Sequence, residues 1–263
     1  MSDPMKLAAP RRLTVRLAQD EADLSAVQRL RWRVFFAEMG AAAVTGAADH
    51  VDRDDYDALC DHLLVIDEDA PAEDRVVGTY RLLRESVAQR HAGFYSAGEF
   101  DIAPLYGNPD RASGELLELG RSCVLPAYRT SATISLLWRG IADYIARHSI
   151  ALMFGCASFP GTDPQVHAEA LSYLYYNHLA SAEQRPVVID GKGISLALLA
   201  QDAFDDRRAA LQLPPLVKGY LRAGAKFGDG AYVDSAFNTI DVCVVMPVAL
   251  ISQRYATRFS VAA

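Results

Sequence analysis

The chain has 263 residues, of which 51% are hydrophobic and 22% charged, and its formal net charge is −7. This is the composition of a globular protein, and the acidic balance argues against a general nucleic-acid binder. No run of 18 or more apolar residues predicts a transmembrane helix, and residues 1–12 lack the apolar core of a signal peptide. We therefore expect a cytoplasmic protein.

The first half of the chain reads as a strand, a helix and a hairpin. Leu24, Val27 and Leu30 lie at helical spacing behind Asp20, a suitable N-cap. Two apolar runs joined by the acidic turn at 68–74 predict a hairpin. The predicted elements are a strand at 14–17, a helix at 21–38, a polar loop at 40–57, and strands at 62–67, 75–83 and 116–124.

The second half alternates helices and strands. The best defined helix has one apolar face and can be capped by Thr130 or Ser131. The pattern predicts a single α/β domain built on a mixed sheet. The predicted elements are helices at 131–148, 163–179 and 195–211, strands at 151–157, 232–233 and 239–246, and an extended segment at 186–189.

The strand at 116–124 carries an acid and an arginine, Glu118 and Arg121, within an apolar run. Burying either charge alone is costly, so each needs a partner or a task. Strict alternation puts them on opposite faces, but a bulge at Leu119–Gly120 would bring them to the same face. A bulge also frees a backbone N–H that can polarise a carbonyl, which favours acyl transfer. A purely structural buried ion pair is the alternative.

Metal binding is not predicted. The acidic segment at 49–61 lacks the central glycine and closing glutamate of an EF-hand, and no Cys/His spacing matches a zinc site. The segment is either a solvated loop or part of a substrate site.

Four short motifs occur in a recognisable order: Arg31-Trp-Arg-Val-Phe35, Asp54-Asp-Tyr-Asp57, Gly78-Thr-Tyr-Arg81 and Glu118-Leu-Gly-Arg121. With them the chain resembles the acyl-homoserine-lactone synthases of the Gcn5-related N-acyltransferase superfamily. Later segments make it most similar to the ornithine lipid synthases, the acyl-carrier-protein-dependent L-ornithine N-alpha-acyltransferases. These segments are Cys156-Ala-Ser-Phe-Pro-Gly-Thr-Asp163, Leu171-Ser-Tyr-Leu174, residues 214–225 and Asp234-x-x-Phe237-x-Thr239-x-Asp241-Val242.

The resemblance covers about residues 14 to 248. It implies a mostly antiparallel sheet flanked by helices, with an acyltransferase domain at 14–250, a flexible N-terminus at 1–13 and a C-terminal tail at 251–263. It also implies residue roles. The implied catalytic residues are Glu118, as base, and Arg121, and the implied substrate-binding residues are Arg31, Phe35, Asp54, Asp57, Arg81 and Asp234.

One departure from the superfamily bears on the acyl donor. Its pyrophosphate loop would fall at Arg129-Thr-Ser-Ala-Thr-Ile134, where both glycine positions fail. We expect the acyl-phosphopantetheine of acyl carrier protein as co-substrate, bound near Arg129 and Ser131, because pantetheine has one phosphate that a helix N-terminus can hold. No bound cofactor is expected. The expected partners are acyl carrier protein, ornithine and an inner-membrane surface, without nucleic acid.

Two surfaces follow from this expectation. A basic patch should dock the acidic carrier protein, and an apolar pocket should hold the acyl chain. Candidates for the pocket are Val124, residues 155–157 and the helix face of Leu137, Trp138 and Ile141. Candidates for the patch are Arg129, Arg139, Arg147, Lys218, Arg222 and Lys226.

Other functions remain open from the sequence. An acyl-homoserine-lactone synthase acting on S-adenosylmethionine is the nearest, although the Pro214–Tyr220 segment and the chain length argue against it. A non-catalytic acyl-carrier or membrane-surface binding protein is the second. The spacing His50-x4-Asp55 also matches membrane glycerolipid acyltransferases, but it occurs often by chance.

Overall fold

The computed structural model describes residues 11–42, 49–111 and 114–251. Residues 1–10 of the predicted flexible N-terminus and 252–263 of the predicted tail lie outside them. In the described part, nine strands form one sheet in the order β1-β2-β3-β5-β6-β11-β10-β8, with β9 paired to β11. The strands are β1 (13–17), β2 (61–67), β3 (76–84), β4 (100–101), β5 (115–124), β6 (150–160), β7 (187–188), β8 (193–194), β9 (226–227), β10 (231–234) and β11 (239–247).

Among the described residues, every pairing within this sheet is antiparallel except that of β5 with β6. Strands β4 and β7 pair separately. Helices pack on the sheet: α1 (21–32), α2 (85–88), α3 (103–106), α4 (131–148), α5 (168–178), α6 (206–212) and α7 (215–223). The predicted fold class, a mostly antiparallel α/β sheet flanked by helices in one domain, is confirmed.

Strands β5 and β6 separate partway along the sheet. Their parallel register ends at Glu118 opposite Phe154, after which β5 continues along β3 and β6 along β11. Gly155 lies just beyond this point with φ +153°, and a Cβ there would be 2.2 Å from the Leu119 carbonyl oxygen. Only glycine fits this approach, because a side chain at position 155 would collide with the backbone of β5.

The bulge in β5 was predicted at Leu119–Gly120, and that position is wrong. Thr79 pairs with Cys123 and Arg81 with Gly120, so the extra residue of β5 falls at Arg121–Ser122. Arg121 itself adopts a φ of +47°. A non-glycine residue in this conformation needs support from its surroundings, and the Arg121 side chain has that support in its ion pairs, described below.

The helix caps follow the sequence. The side chain of Asp20 accepts from the N–H of Asp23, and that of Thr130 from the N–H of Thr133. The predicted helix at 21–38 continues past α1 as a π-helical turn over Arg33–Glu38. Residues 164–167 form a 3-10 turn before α5, within the predicted helix at 163–179.

The helix predicted at 195–211 is wrong for its first eleven residues. Only 206–212 is helical, because Asp205 caps the helix there by accepting from the N–H of Arg208. The preceding loop is held differently: Ser172 Oγ accepts from the N–H groups of Leu198 and Leu199. The following prolines begin α7, since proline suits the first helical turn.

Within the described residues, no helix is both long and apolar enough to cross a lipid bilayer.

Candidate active site

A cavity of about 840 Å³ lies where β5 and β6 separate. Its apolar walls come from α4, α7, β5 and the π-helical turn, among them Val34, Val124, Leu137, Trp138 and Leu216. Its polar groups come from six strands and turns of the sheet region, from the π-helical turn, from the residues before α4 and from α7. The ionisable members are Glu38, Tyr80, Arg81, Tyr95, Glu99, Glu118, Arg121, Cys123, Arg129, Cys156, Arg222, Asp234 and Asp241.

Glu118 is a buried carboxylate held by the backbone. One oxygen accepts from the N–H of Tyr95 at 2.9 Å and the other from the N–H of Ser96 at 2.6 Å. Burial raises the pKa of Glu118, and the hydrogen bonds from Ser96 and Tyr95 oppose part of that rise. The carboxyl is fixed in the cavity wall and is easier to protonate than a solvated glutamate.

Three arginines and three aspartates form a network beside the cavity. Arg31 is fully buried and bonds Asp52 at 2.8 Å and Asp57 at 2.7 Å. Burial alone would raise the pKa of Asp57. The hydrogen bonds and the charge of Arg31 outweigh burial and lower the pKa of Asp57 to about 2. The charges of the network balance, and its other pairs are Arg81–Asp54 (2.6 Å), Arg81–Asp57 (3.2 Å), Arg121–Asp52 (3.2 Å) and Arg121–Asp54 (3.1 Å).

The two arginines of this network that line the cavity, Arg81 and Arg121, lie over aromatic rings. The guanidinium carbon of Arg121 lies 4.9 Å from the Tyr95 ring centroid and 4.4 Å from that of Phe237. Arg81 lies over Tyr95 and Tyr56. Such cation–π contacts orient the guanidinium groups without using their N–H donors.

A second group of acidic residues lines the cavity and forms no ion pair with an arginine of the described ranges. Oxygens of Glu99, Asp234 and Asp241 lie within 4.8 Å of one another, and all three residues are buried. Cys156 Sγ donates to Glu99 at 3.1 Å. Asp234 accepts from the N–H groups of Ala236 and Phe237, which fixes its side chain. We call Glu99, Asp234 and Asp241 the acidic cluster.

Two residues of the acidic cluster, Glu99 and Asp241, have raised pKa values. Burial, together with the charge of Asp241, raises the pKa of Glu99 to about 8. Burial, with a contribution from the charge of Asp234, raises that of Asp241 to about 6. Glu118 and Arg121 are the further charged groups that act on the cluster.

These shifts predict how stability depends on pH. Between the ordinary values of 3.8 and 4.5 and the folded values of about 6 and 8, the folded state binds more protons than the unfolded state. The cluster's contribution to the free energy of unfolding is therefore fully present below about pH 4 and falls as pH rises to 8. The free energy of unfolding of Glu99→Gln, measured by urea denaturation at several pH values, should fall less steeply with pH than that of the wild type over this window. Parallel curves would contradict it.

The predicted pantetheine residues lie at the N-terminus of α4. Ser131 and Arg129 both line the cavity. Arg129 is not free, because it forms a two-bond pair with Glu38 at 2.7 Å and donates to the Val124 carbonyl. Arg222 of α7 also lines the cavity, is exposed and makes no ion pair with any described residue. The other members of the predicted basic patch do not line the cavity.

The structure brings most predicted site residues to one cavity. Those that line it are Phe35, Arg81, Glu118, Arg121, Arg129, Ser131 and Asp234. Arg31, Asp54 and Asp57 do not line it. Their charged groups are paired within the network of arginines and aspartates: Arg31 with Asp57, and Asp54 with Arg81. These three residues therefore position the lining arginines.

Sequence reasoning missed two members of the acidic cluster. Asp241 had a signal, since it is a lone acid in the apolar strand β11, as Glu118 is in β5. Glu99 had none, because it lies in a turn that only the tertiary fold brings to the cavity. His50, whose spacing to Asp55 matches membrane glycerolipid acyltransferases, is exposed and stacks on Trp32 with ring centroids 4.2 Å apart. It does not line the cavity.

Of the seven residues predicted to form an acyl pocket, four line the cavity and three, Gly155, Ala157 and Ile141, do not. Val124, Leu137, Trp138 and Cys156 line the cavity. Ala157 and Ile141 do not, because both are packed in the main hydrophobic core with at most 1% exposure. The substitution Ala157→Phe would therefore overpack this core and would not report on chain length.

Comparisons with known proteins identify the family of the chain. Residues 30–139 match the model of an acetyltransferase (GNAT) domain family. The chain is 48% identical to an L-ornithine N(alpha)-acyltransferase of Agrobacterium fabrum, over 92% of this chain and 83% of that protein. An L-ornithine N(alpha)-acyltransferase of Rhodobacter capsulatus is 43% identical over 94% of this chain and 95% of the other.

A solved structure supports the fold. The CoA-dependent acyl-homoserine lactone synthase BjaI, solved with SAM and isopentyl-CoA, superposes with a TM-score of 0.51 at 14% identity and covers 95% of this chain and 91% of its own. At this identity the likeness concerns the fold alone. The sequence relatives decide the family: the chain belongs to the L-ornithine N(alpha)-acyltransferases, within the GNAT fold.

Proposed function

We propose that the protein transfers a fatty acyl group, 3-hydroxylated or not, from acyl carrier protein to the α-amine of L-ornithine, the first step of ornithine lipid synthesis. The observation that carries the proposal is a cavity in which one buried carboxylate, Glu118, faces two arginines and an acidic cluster beside apolar walls. The family relationship at 43–48% identity supports the same acceptor.

Glu118 is proposed as the base. An α-amine arrives protonated and must lose a proton before it attacks a thioester. A carboxylate with a raised pKa that is fixed in the cavity wall suits this task, directly or through water. The bonds from Tyr95 and Ser96 hold the carboxylate in place but leave further lone pairs to accept from the amine.

The attack produces a tetrahedral oxyanion, and we propose that a backbone N–H at the Arg121–Ser122 bulge stabilises it. A bulge leaves one residue unpaired in the ladder, and both residues line the cavity. Such a donor is typically worth about 3 kcal/mol in the transition state. Arg121 and Arg81 are proposed to hold the substrate carboxylate, since guanidinium groups bind carboxylates with two hydrogen bonds.

Acyl carrier protein is proposed as donor. The cavity extends to the N-terminal turn of α4, whose free N–H groups favour one phosphate, with Ser131 beside them. The apolar residues of α4, α7 and β5 can cover the acyl chain. A carrier-protein donor and a lipid product are consistent with a reaction in the cytoplasm beside the inner membrane.

The docking of an acidic carrier protein should depend on Arg222. We expect Arg222→Glu to raise the KM for acyl carrier protein about tenfold at low salt, because a rim cation steers an acidic partner. Arg207→Glu, the same charge change on an exposed residue of α6 outside the lining, is the matched control. The difference should shrink as salt screens it. Equal KM values for both variants would contradict this.

The proposed function is tested with pure protein, a long-chain acyl carrier protein and L-ornithine. Mass spectrometry should find acyl-ornithine and free carrier-protein thiol in equal amounts. Acyl-CoA with ornithine, and acyl carrier protein with S-adenosylmethionine, should give far less product. A homoserine lactone product would support the acyl-homoserine-lactone synthase instead, and no product from any pair would support a binding protein.

A further inference from the structure

The two groups of carboxylates near the cavity differ in whether a positively charged side chain pairs with them. Asp52, Asp54 and Asp57 are all paired with arginine. The acidic cluster has no ion pair with any residue in the described part of the chain. Buried carboxylates without a cation are costly, so Glu99 and Asp241 take up protons more readily than solvated acids, and a cation supplied from outside the chain would stabilise their charged form.

Two buried oxygens at the cluster make no hydrogen bond of normal geometry within the described residues. They are Asp241 Oδ1 and Thr239 Oγ1, and both residues line the cavity. The hydroxyls of Thr239 and Ser158 nevertheless lie close enough to Asp241 to lower its pKa against the effect of burial. Asp241 is 6% exposed and Thr239 3%. In folded proteins such atoms are nearly always satisfied, so these two are placed to accept hydrogen bonds from a ligand.

The cluster is joined to the proposed base by short contacts. The N–H of Ser96 donates to Glu118, Cys156 Sγ lies 3.5 Å from Ser96 Oγ, and the same sulfur donates to Glu99. A single small molecule in this cavity can therefore present one amine to Glu118 and a second positive group to the acidic cluster.

Resting on the function proposed above, we propose that Glu99, Asp234 and Asp241, with Thr239, bind the side-chain ammonium of the acceptor amino acid and so select a diamino acid over a neutral one. An alkylammonium has three N–H donors and one positive charge. The cluster offers the two oxygens named above and carboxylates beside them. Calcium would need six to eight oxygen ligands, more than these four side chains supply in single-oxygen contacts.

The site also separates the two amines of the substrate. A side-chain ammonium held among carboxylates stays protonated and cannot attack, while the α-amine at Glu118 loses its proton and can. The acidic cluster then determines both which amino acid is accepted and which of its nitrogens reacts.

The test compares L-ornithine with L-norvaline, which has the same carbon chain without the terminal amine. We expect Asp241→Asn to lower kcat/KM for ornithine by about 30-fold or more, the usual cost of removing one partner of a buried charge pair. For norvaline, kcat/KM should stay the same or rise. Asp143→Asn, the same change on an exposed α4 residue outside the lining, should leave both values unchanged.

Glu99→Gln provides a second variant if Asp241→Asn does not fold. A further readout is the rise in melting temperature that ornithine gives without acyl donor, which should be lost in both variants and retained in Asp143→Asn. An unchanged ornithine-to-norvaline ratio in folded variants of an active enzyme would overturn this inference and leave the proposed function standing. Wild-type activity that EDTA abolishes and Mg²⁺ or Ca²⁺ restores would identify a metal site and also overturn it. A wild type that acylates no ornithine would overturn the function itself.

Discussion

Replacing Glu118 with glutamine is expected to lower the single-turnover rate of acyl transfer by about 10²- to 10⁴-fold, the range that a positioned general base contributes. Glutamine has nearly the same shape but cannot take a proton from the incoming amine. Because burial raises the pKa of Glu118, the wild-type rate should also rise with pH above the ordinary range of a glutamate, and this dependence should disappear in the variant.

The sequence alone leads one to expect that this variant folds normally, and the structure changes that expectation. Both oxygens of Glu118 accept backbone N–H groups, so a glutamine amide would place its NH₂ against one of them. The free energy of unfolding should fall by about 1–3 kcal/mol. Rates must therefore be measured where both proteins are folded, as judged by circular dichroism.

A matched control lies on the same strand. Glu115 also accepts a backbone N–H, that of Ser86, at 2.9 Å, but it does not line the cavity. Glu115→Gln should lose stability in a similar way and keep near-wild-type turnover. Single-turnover rates of Glu118→Gln within a few-fold of those of Glu115→Gln would remove Glu118 as the base.

Replacing Arg31 with methionine is expected to cause the largest loss of stability, about 3–5 kcal/mol in the free energy of unfolding. The substitution removes the guanidinium group that pairs with both Asp52 and Asp57, and both carboxylates stay buried. Urea denaturation measures the effect. Activity should fall as well, since Asp52 and Asp57 hold Arg121 and Arg81 at the cavity.

Arg33→Met is the control for this prediction. Arg33 follows α1 directly and pairs with Asp74, and both side chains are 46% exposed. An exposed pair contributes about 0–1 kcal/mol. If Arg31→Met and Arg33→Met lowered the free energy of unfolding equally, the buried network would not contribute more to stability than an exposed ion pair does.

The sequence predicted the sheet, the main helices and the presence of Glu118 and Arg121 at one site, because each depends on local pattern. Alternation and helical spacing are local, and so are the caps at Asp20 and Thr130. The position of the β5 bulge was not predictable in this way. It depends on how Arg121 reaches Asp52 and Asp54, which lie on a loop nearly seventy residues earlier.

The sequence also did not show which acidic residues pair with arginines and which remain without an ion pair. The resemblance implied a substrate-binding role for Asp54, Asp57 and Asp234 alike, and spacing does not show which carboxylates already have a cation. The fold shows that Asp57 is held by Arg31, whereas Asp234 lies beside two further unpaired acids. Glu99 could not be found, since only tertiary contacts bring its turn to β11.

The measurement that tests the central claim most directly is the position of the new amide bond in the product. Ornithine has two amines, and the proposed roles of Glu118 and the acidic cluster would make only the α-nitrogen reactive. Tandem mass spectrometry of the product, against synthetic Nα- and Nδ-acyl-ornithine, distinguishes them. The account predicts the Nα-amide from acyl carrier protein thioester as essentially the sole product. An Nδ-amide, a mixture of both, or no amide would contradict it.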